Sequence, residues 1–508
     1  MFVNILFFNL QIRNIYVYAQ IKIFVITTEI YVEFQRSLIY NTFINMKGNK
    51  TMIKEKLSKK TWFTMCLFSF MGGIAWNIEN MYFNTFLYNS VYSNASAQAM
   101  AGSMAPTTAI SRMVALSAIA AVLTTFVMGT LSDKMKNRKL FISVGYILWG
   151  LVTAVFGFIT KDNIAAILGL TDEAKILTTT VWVVIIMDIV MTYMGSTSND
   201  AAFNAWVTDI STPKIRPTIE TAFTFVGFLS MVAVMGVGSL AQSGAVSYQN
   251  FFLYLGLIVT ACGVAGLFLI KNPEKKHNEN EIASSYWADL FYGFRPSVIK
   301  ENSRLYLTLL AVGFSSVSYQ VFFPYLLVYL QYVVIPDNGD NLLAPSVIAT
   351  FVIMLAILIG GMIFLLKLSG KNKAKGLIPS AILYTAGLVV LSTSTNIHII
   401  LIGIVPAVVG NLVMGIQLNA SIKDFIPEGK AGLFQGIRMI FTVLIPMVLG
   451  PALGDMACRN SAVTYVNEYG VDTIVPSASM FVYAAIVSVF VLVPLFFIIK
   501  KGFRVEEK

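Results

Sequence analysis

Charge is scarce in this sequence, and so are cysteine and histidine. Lys, Arg, Asp and Glu make up 12% of its 508 residues, roughly half the ~25% of soluble domains. A water-soluble surface for a chain of this length cannot be built from so few charges. Cys66, Cys262 and Cys458 stand far apart, and the two histidines, His277 and His398, stand alone. No disulfide framework or zinc spacing results. Phosphate loops, zinc motifs and catalytic-triad patterns are also missing, so no catalytic residues, no metal and no cofactor are expected. The net charge of +10 would suit nucleic acid. However, the basic residues fall in alternate loops between apolar runs, which is the pattern of membrane topology, and no nucleic-acid partner is expected.

What the sequence has instead is hydrophobic length, with 56% of residues apolar. At ~20 residues per bilayer crossing, twelve spans are predicted, at 62–88, 106–131, 139–160, 177–208, 217–241, 249–270, 304–333, 345–367, 376–395, 398–421, 431–454 and 478–500. The fold class expected is an all-α membrane protein of twelve transmembrane helices in two six-helix halves. Basic clusters (Lys134–Lys139, Lys214 and Arg216, 271–277, 371–375, Lys423 and Lys430) alternate with loops whose basic residues are Lys161, Lys175 and Arg459. Positive charge marks the inner side, so both termini are expected in the cytoplasm of a multi-pass plasma-membrane protein. The organisation expected is a cytoplasmic segment 1–61, a first half 62–270, a central loop 271–303, a second half 304–500 and a tail 501–508. Residues 1–45 are apolar but broken by Arg13, Lys22, Glu29 and Glu33. They read as an interfacial anchor or, preferably, as sequence upstream of a true start at Met46 or Met52. In the central loop Tyr286, Leu290, Phe291 and Phe294 have helical spacing, as in a surface amphipathic helix.

The loop at 129–139 reads GTLSDKMKNRK, and Leu131-Ser132-Asp133-Lys134 returns as Leu368-Ser369-Gly370-Lys371 in the second half. An internal repeat of this kind is a transporter trait. Gly129, Leu131, Asp133, Lys134, Arg138 and Lys139 resemble the signature loop of the major facilitator superfamily. The second glycine of that pattern is replaced by Lys136 or Asn137. The resemblance implies that these residues gate conformational change, with Asp133 latching one state at the amino end of the eleventh helix. Alternatively, Asp133 caps the third helix.

Ionisable groups at bilayer depth cost roughly 2.5–3.5 kcal/mol on insertion scales and are functional candidates by default. In the fourth span Tyr193, Thr197, Asp200 and Asn204 fall at spacings of four, three and four, one face of an α-helix. The plainer reading is a buried carboxylate that binds a neighbouring helix. In the first span Asn77, Asn80, Asn84 and Tyr88 form a second stripe, with Glu79 off it. Interhelical amide bonds and cavity lining are equally open for it. The seventh span offers Ser318, Tyr325, Tyr329 and Tyr332, with Trp76 and Trp206 elsewhere. Rings beside amides and carboxylates suit sugars, although aromatic stripes are commonly packing or interface belts. Gln417 and Ser421, with Gln435 and Arg438, are candidates from the second half.

Thr197-Ser-Asn-Asp200-Ala-Ala-Phe-Asn204-Ala-Trp206 and Asp209 resemble the fourth helix of the glycoside–pentoside–hexuronide:cation symporters, the melibiose-carrier group. That resemblance implies sugar binding at Asp200 and help with a coupling cation from Thr197. Two departures matter. Between Pro106 and Ser132 there is no carboxylate, only Arg112, Ser117, Thr124 and Thr125, and 434–450 holds no lysine. Proton coupling through Asp200 or Glu79, or uniport, is therefore as open as sodium coupling. The function expected is a monomeric secondary transporter of a small hydrophilic solute, a sugar or glycoside. An exporter of drugs or amphipathic metabolites and a non-transporting sensor or lipid-handling protein are the alternatives.

Overall fold

The computed structural model describes residues 57–135, 137–211, 215–272, 294–339, 344–369, 374–426 and 431–501. The interrupted first 56 residues and most of the expected amphipathic segment lie outside them. Among the described residues twelve long helical stretches follow the predicted spans. α1 begins as Lys59–Asn77 and continues through Ile78–Tyr82, Phe83–Phe86 and Leu87–Tyr92. Then come α2 Pro106–Met135, α3 Arg138–Phe156, α4 Glu173–Ile210, α5 Arg216–Gln242 and α6 Tyr248–Leu269. α7 is Ser303–Asn338, α8 Pro345–Ser369, α9 Ala374–Leu391 and α10 Ile397–Phe425. α11 runs over 431–461 and α12 over 479–501. Among the described residues ten helices are long and apolar enough to cross a membrane. The other two are explained by sequence. α9 offers the shorter apolar helix Gly376–Leu391, and α1 is diluted by Asn77, Glu79, Asn80, Asn84 and Asn89.

Among the described residues four helices contain π-turns, at Ile78–Tyr82 and Leu87–Tyr92 of α1, Ser196–Phe203 of α4, Leu330–Val334 of α7 and Ile440–Leu444 of α11. A π-turn departs from the 3.6-residue repeat and concentrates at functional positions. α7 is further broken by a 3₁₀ turn at Phe323–Tyr325, where Pro324 removes a backbone donor.

Packing gathers these helices into two compact units. The first holds α1 through Tyr82, Met135–Phe158, and the chain from Thr197 to the end of α6. Its α3 and α6 touch backbone to backbone, because a Cβ on Gly150 would lie 2.4 Å from the Thr260 nitrogen. Small residues allow such approach where lipid supplies no hydrophobic drive. The second unit holds Phe83–Lys134, Ile159–Ser196 and the chain from α7 on. There α8 joins α10 through Leu365, Val405, Val409 and Val413, and α7 sits in a groove of α11 made by Gly450 and Gly454. A Cβ on Gly454 would lie 2.2 Å from the Val321 carbonyl oxygen and 2.5 Å from the Tyr325 ring. Gly454→Leu is expected to lower the unfolding midpoint in detergent, by an overpacking penalty of about 1–3 kcal/mol. Gly360→Leu faces open space and is expected to leave it unchanged.

A feature the apolar periodicity does not reveal follows α11. Strands β1 Thr464–Val466 and β2 Asp472–Ile474 pair antiparallel, with Tyr465 opposite Thr473. The turn is built on Asn467, whose Oδ1 accepts from the Tyr469 and Val471 amides at 3.0 Å each, and on Gly470 at φ +73°.

Candidate functional site

In the first unit the polar residues of α1 and α4 come from two irregular helices. Ser, Thr, Asn and Asp compete for backbone groups inside a helix. The run Ser196–Phe203, STSNDAAF, accordingly adopts the π form. The expected Thr197, Asp200, Asn204 spacing assumed 3.6 residues per turn, and this stretch does not keep that repeat. Thr197 is buried, Asp200 half-buried and Asn204 exposed. The Asn204 amide donates back to the Asp200 carbonyl at 3.2 Å. On α1, Asn77 donates to the Gly73 carbonyl at 2.6 Å and lies 3.3 Å from Ser230 Oγ of α5. Asn80 donates to the Trp76 carbonyl at 2.7 Å, and Glu79 is buried. Tyr146 of α3 donates to the Phe68 carbonyl at 2.8 Å and lies within electrostatic reach of Asp200. Gly72 makes room here, since its Cβ would lie 2.5 Å from Asn199 Nδ2 and 2.6 Å from Tyr146 Oη. Trp149 stacks edgewise on Trp76 at 5.0 Å and on Tyr146 at 5.5 Å. Carboxylate, amides and indole rings thus share one region, while Trp206 is buried with its Nε1 donating to the Lys271 carbonyl at 3.0 Å.

The second half of the signature loop is anchored in the same unit. Arg138 is 5% exposed, and its Nε lies 3.2 Å from Asp209 Oδ2 at the end of α4. The Lys139 amide donates to Asn272 Oδ1 at 2.9 Å, and Asn272 Nδ2 donates to Asn137 Oδ1 at 2.9 Å. The loop is therefore fixed to the ends of α4 and α6. Gly129 faces open space, and Asp133 and Lys134 lie in the last turns of α2.

In the second unit several predicted ligands are committed to backbone. Asn84 donates to the Pro324 carbonyl at 2.9 Å, beside the break in α7. The Tyr325 hydroxyl lies 2.8 Å from the Pro451 carbonyl and 3.2 Å from that of Thr107. Tyr88 donates to the Ile474 carbonyl at 2.9 Å, and Ser318 donates to that of Ala484 at 2.7 Å. Tyr193 is 39% exposed. Gln417 and Tyr329 are buried, and among the described residues the Gln417 amide and the Tyr329 hydroxyl find no hydrogen-bond partner.

These contacts belong to a larger lock that sequence reasoning did not find. Asp455 of α11 is 4% exposed. Its Oδ1 accepts from Thr107 at 2.6 Å and Thr108 at 3.1 Å, at the start of α2, and its Oδ2 lies 3.2 Å from Arg459 Nε. Above it the hairpin grips the end of α1. Asn467 donates to the Ala95 carbonyl at 2.8 Å, and the Glu468 amide donates to that of Ser93 at 3.0 Å. Tyr332 stacks on Tyr465 at 4.3 Å and donates to Asn89 at 2.5 Å, while the Asn89 amide donates to Gln331 at 3.1 Å. Lys161 donates to the Asn94 carbonyl at 2.6 Å. Partial burial lowers its pKa against the pull of Asp162, Glu173 and Glu468. The ends of α1 and α2 are thereby tied to α7, α11 and the hairpin. The sequence signal for this lock was the Asp455, Arg459 pair at i, i+4, at the end of an apolar run.

Solved structures of similar fold include several transporters. A D-xylose-proton symporter has a TM-score of 0.56 at 15% identity, covering 85% of this chain and 97% of its own. A mutant of the nucleoside transporter NupG has a TM-score of 0.55 at 13% identity, covering 86% and 98%. A bacterial homologue of the human lysosomal transporter Spinster, in an inward-facing and unoccupied conformation, has a TM-score of 0.55 at 14% identity, covering 87% and 97%. At such identities the likeness is one of fold. A search of curated proteins returns no significant match. The sequence pattern of the Major Facilitator Superfamily, in contrast, matches residues 65–451, from α1 into α11. A match over well more than half of the chain, on this helical frame, makes it a member of the Major Facilitator Superfamily, a multi-pass membrane transporter and not an enzyme.

Proposed function

We propose that this transporter is a secondary active carrier of a sugar or glycoside, moved with H⁺ or Na⁺ by alternating access of the halves 62–270 and 304–500. The observation that carries the reading is the polar break in α4. A half-buried carboxylate, Asp200, stands in a π-turn within a membrane-spanning helix. Asn77 and Asn80 stand on α1, and the Trp76 and Trp149 rings lie in the same unit. Sugar hydroxyls need paired donors and acceptors, and sugar C–H faces stack on rings. The resemblance of this segment to the melibiose-carrier group supports the same roles, with Asp200 on substrate hydroxyls and Thr197 assisting the cation, while Glu79 of α1 is a second candidate to carry a coupling proton. The positive loops support a cytoplasmic α2–α3 side, and on that reading the Asp455 lock and the hairpin belong to the outer side.

Ligand binding raises the stability of the folded state by RT ln(1 + [L]/Kd). We expect one or more members of a panel of pentoses, hexoses and glycosides to raise the unfolding midpoint of the purified protein, and Asp200→Asn to remove that rise. A response confined to amphipathic cations would point to an exporter. For the loop, Asp133→Asn is expected to impair transport while leaving membrane insertion intact. Unchanged transport would remove the latch assigned to it.

A further inference from the structure

Near the middle of α4 (Glu173–Ile210), twelve residues before Asp200, stands another carboxylate, Asp188. It is 2% exposed. Its Oδ2 accepts a hydrogen bond from Ser117 Oγ of α2. Its Oδ1 is buried and has no hydrogen-bond partner among the described residues. No other group in the transport site described above touches it, and a carboxylate at this depth is an expensive residue to keep.

Among the described residues no hydrogen bond or ion pair joins Asp188 to an ionisable group of the elements around it. On α2, Arg112 lies five residues before Ser117, more than a full turn away, with its side chain exposed. The short helix Ala97–Ala101 brings none. Lys161–Leu168 brings Lys161 and Asp162 beside the first turns of α4, where Glu173 and Lys175 lie. The end of α1 brings Tyr88 and Tyr92, whose hydroxyls are given to the Ile474 and Met104 carbonyls. An ionised Asp188 would be buried with the Ser117 hydroxyl as its one hydrogen-bond donor among the described residues, which is far costlier than a neutral acid. With a proton on Oδ1, the Ser117 hydroxyl serves the remaining carbonyl oxygen.

We propose that Asp188 is a proton-binding site of the transport cycle, protonated while α2 and α4 are closed around it and deprotonated when that contact opens to water. The proton comes from solvent on one side and returns to solvent on the other, and no other bond changes. This rests on the transporter reading but not on the identity of the solute. It supplies a carboxylate beside the stretch Pro106–Ser132 of α2, which itself has none.

The test needs no substrate. Infrared spectra of the purified protein in lipid would be recorded across pH and after exchange into D₂O. The expected result is a protonated-carboxyl C=O band that is present at the acid end, is lost at the alkaline end, shifts in D₂O and is absent in Asp188→Asn. Should that variant fail to fold, Ser117→Ala provides the assignment, because losing the hydroxyl donor must shift the band. A band that ignores pH and D₂O marks a structural carboxyl and overturns the proposal. A band unmoved by Ser117→Ala, or one that disappears in Glu79→Gln and persists in Asp188→Asn, overturns it as well.

Discussion

Asp200→Asn is expected to abolish gradient-driven accumulation of solute while leaving slow exchange down a concentration gradient. The substitution keeps the size and hydrogen-bonding reach of the side chain but removes its charge and its ability to bind a cation or proton. Hydrogen bonds to a charged group are worth about 1.5–3 kcal/mol, so losing one from the bound state weakens binding roughly 10–100-fold. Accumulation suffers more than binding, because coupling needs the change of charge itself. Asp200→Glu retains the charge on a longer arm and is expected to keep coupling with altered affinity. Thr197→Ala separates the ions. It weakens sodium dependence if Thr197 helps to hold sodium, and is nearly silent if a proton is carried. Uptake of labelled sugar under imposed sodium or proton gradients reads all three variants, and full accumulation by Asp200→Asn would place the site elsewhere.

Asp455→Ala is expected to open the side of the transporter that the hairpin covers. Removing the carboxylate deprives Thr107, Thr108 and Arg459 of their shared acceptor. Two charge-assisted bonds at about 1.5–3 kcal/mol each correspond to a shift of at least ~100-fold in the closed-to-open ratio, less whatever Arg459 recovers from water. Cys458, three residues along α11 and wholly buried, is a native reporter. With Cys66 and Cys262 replaced by serine, labelling of Cys458 by a membrane-impermeant maleimide should rise about tenfold or more in Asp455→Ala. Tyr332→Ala, which removes the ring between Tyr88 and Tyr465, should act in the same direction. Labelling that stays at the background rate in both variants would show that these contacts do not hold the gate.

The twelve helices were legible because lipid demands ~20 apolar residues per crossing, a signal written into composition. The loop at 129–139 was legible as a local motif, although its anchoring to Asp209 and Asn272 was not, since both partners lie more than seventy residues away in sequence. The polar break in α4 showed in the run Ser196–Asp200. Its π geometry did not, because spacing arguments assume the regular repeat. Asn84 and Tyr325 read as ligands because sequence cannot tell a polar group aimed at a solute from one spent on a proline-freed or neighbouring carbonyl. Asp188 falls under the rule for intramembrane charge, but as a lone acid in an apolar run it gives a weaker pattern than the dense polar stretch around Asp200. Asp455 and the three-residue strands are long-range features, and no local pattern encodes Thr107 meeting Asp455 across 348 residues.

The proposed function requires this member of the superfamily to drive a sugar or glycoside against its gradient. Purified protein in sealed liposomes, given labelled pentoses, hexoses and glycosides under an imposed proton or sodium gradient, tests it most directly. At least one of these solutes is expected to accumulate above the external concentration, with collapse of that accumulation when the gradient is dissipated and its loss in Asp200→Asn. Failure of every sugar and glycoside to accumulate under either gradient, in liposomes whose protein is folded and correctly inserted, would contradict it.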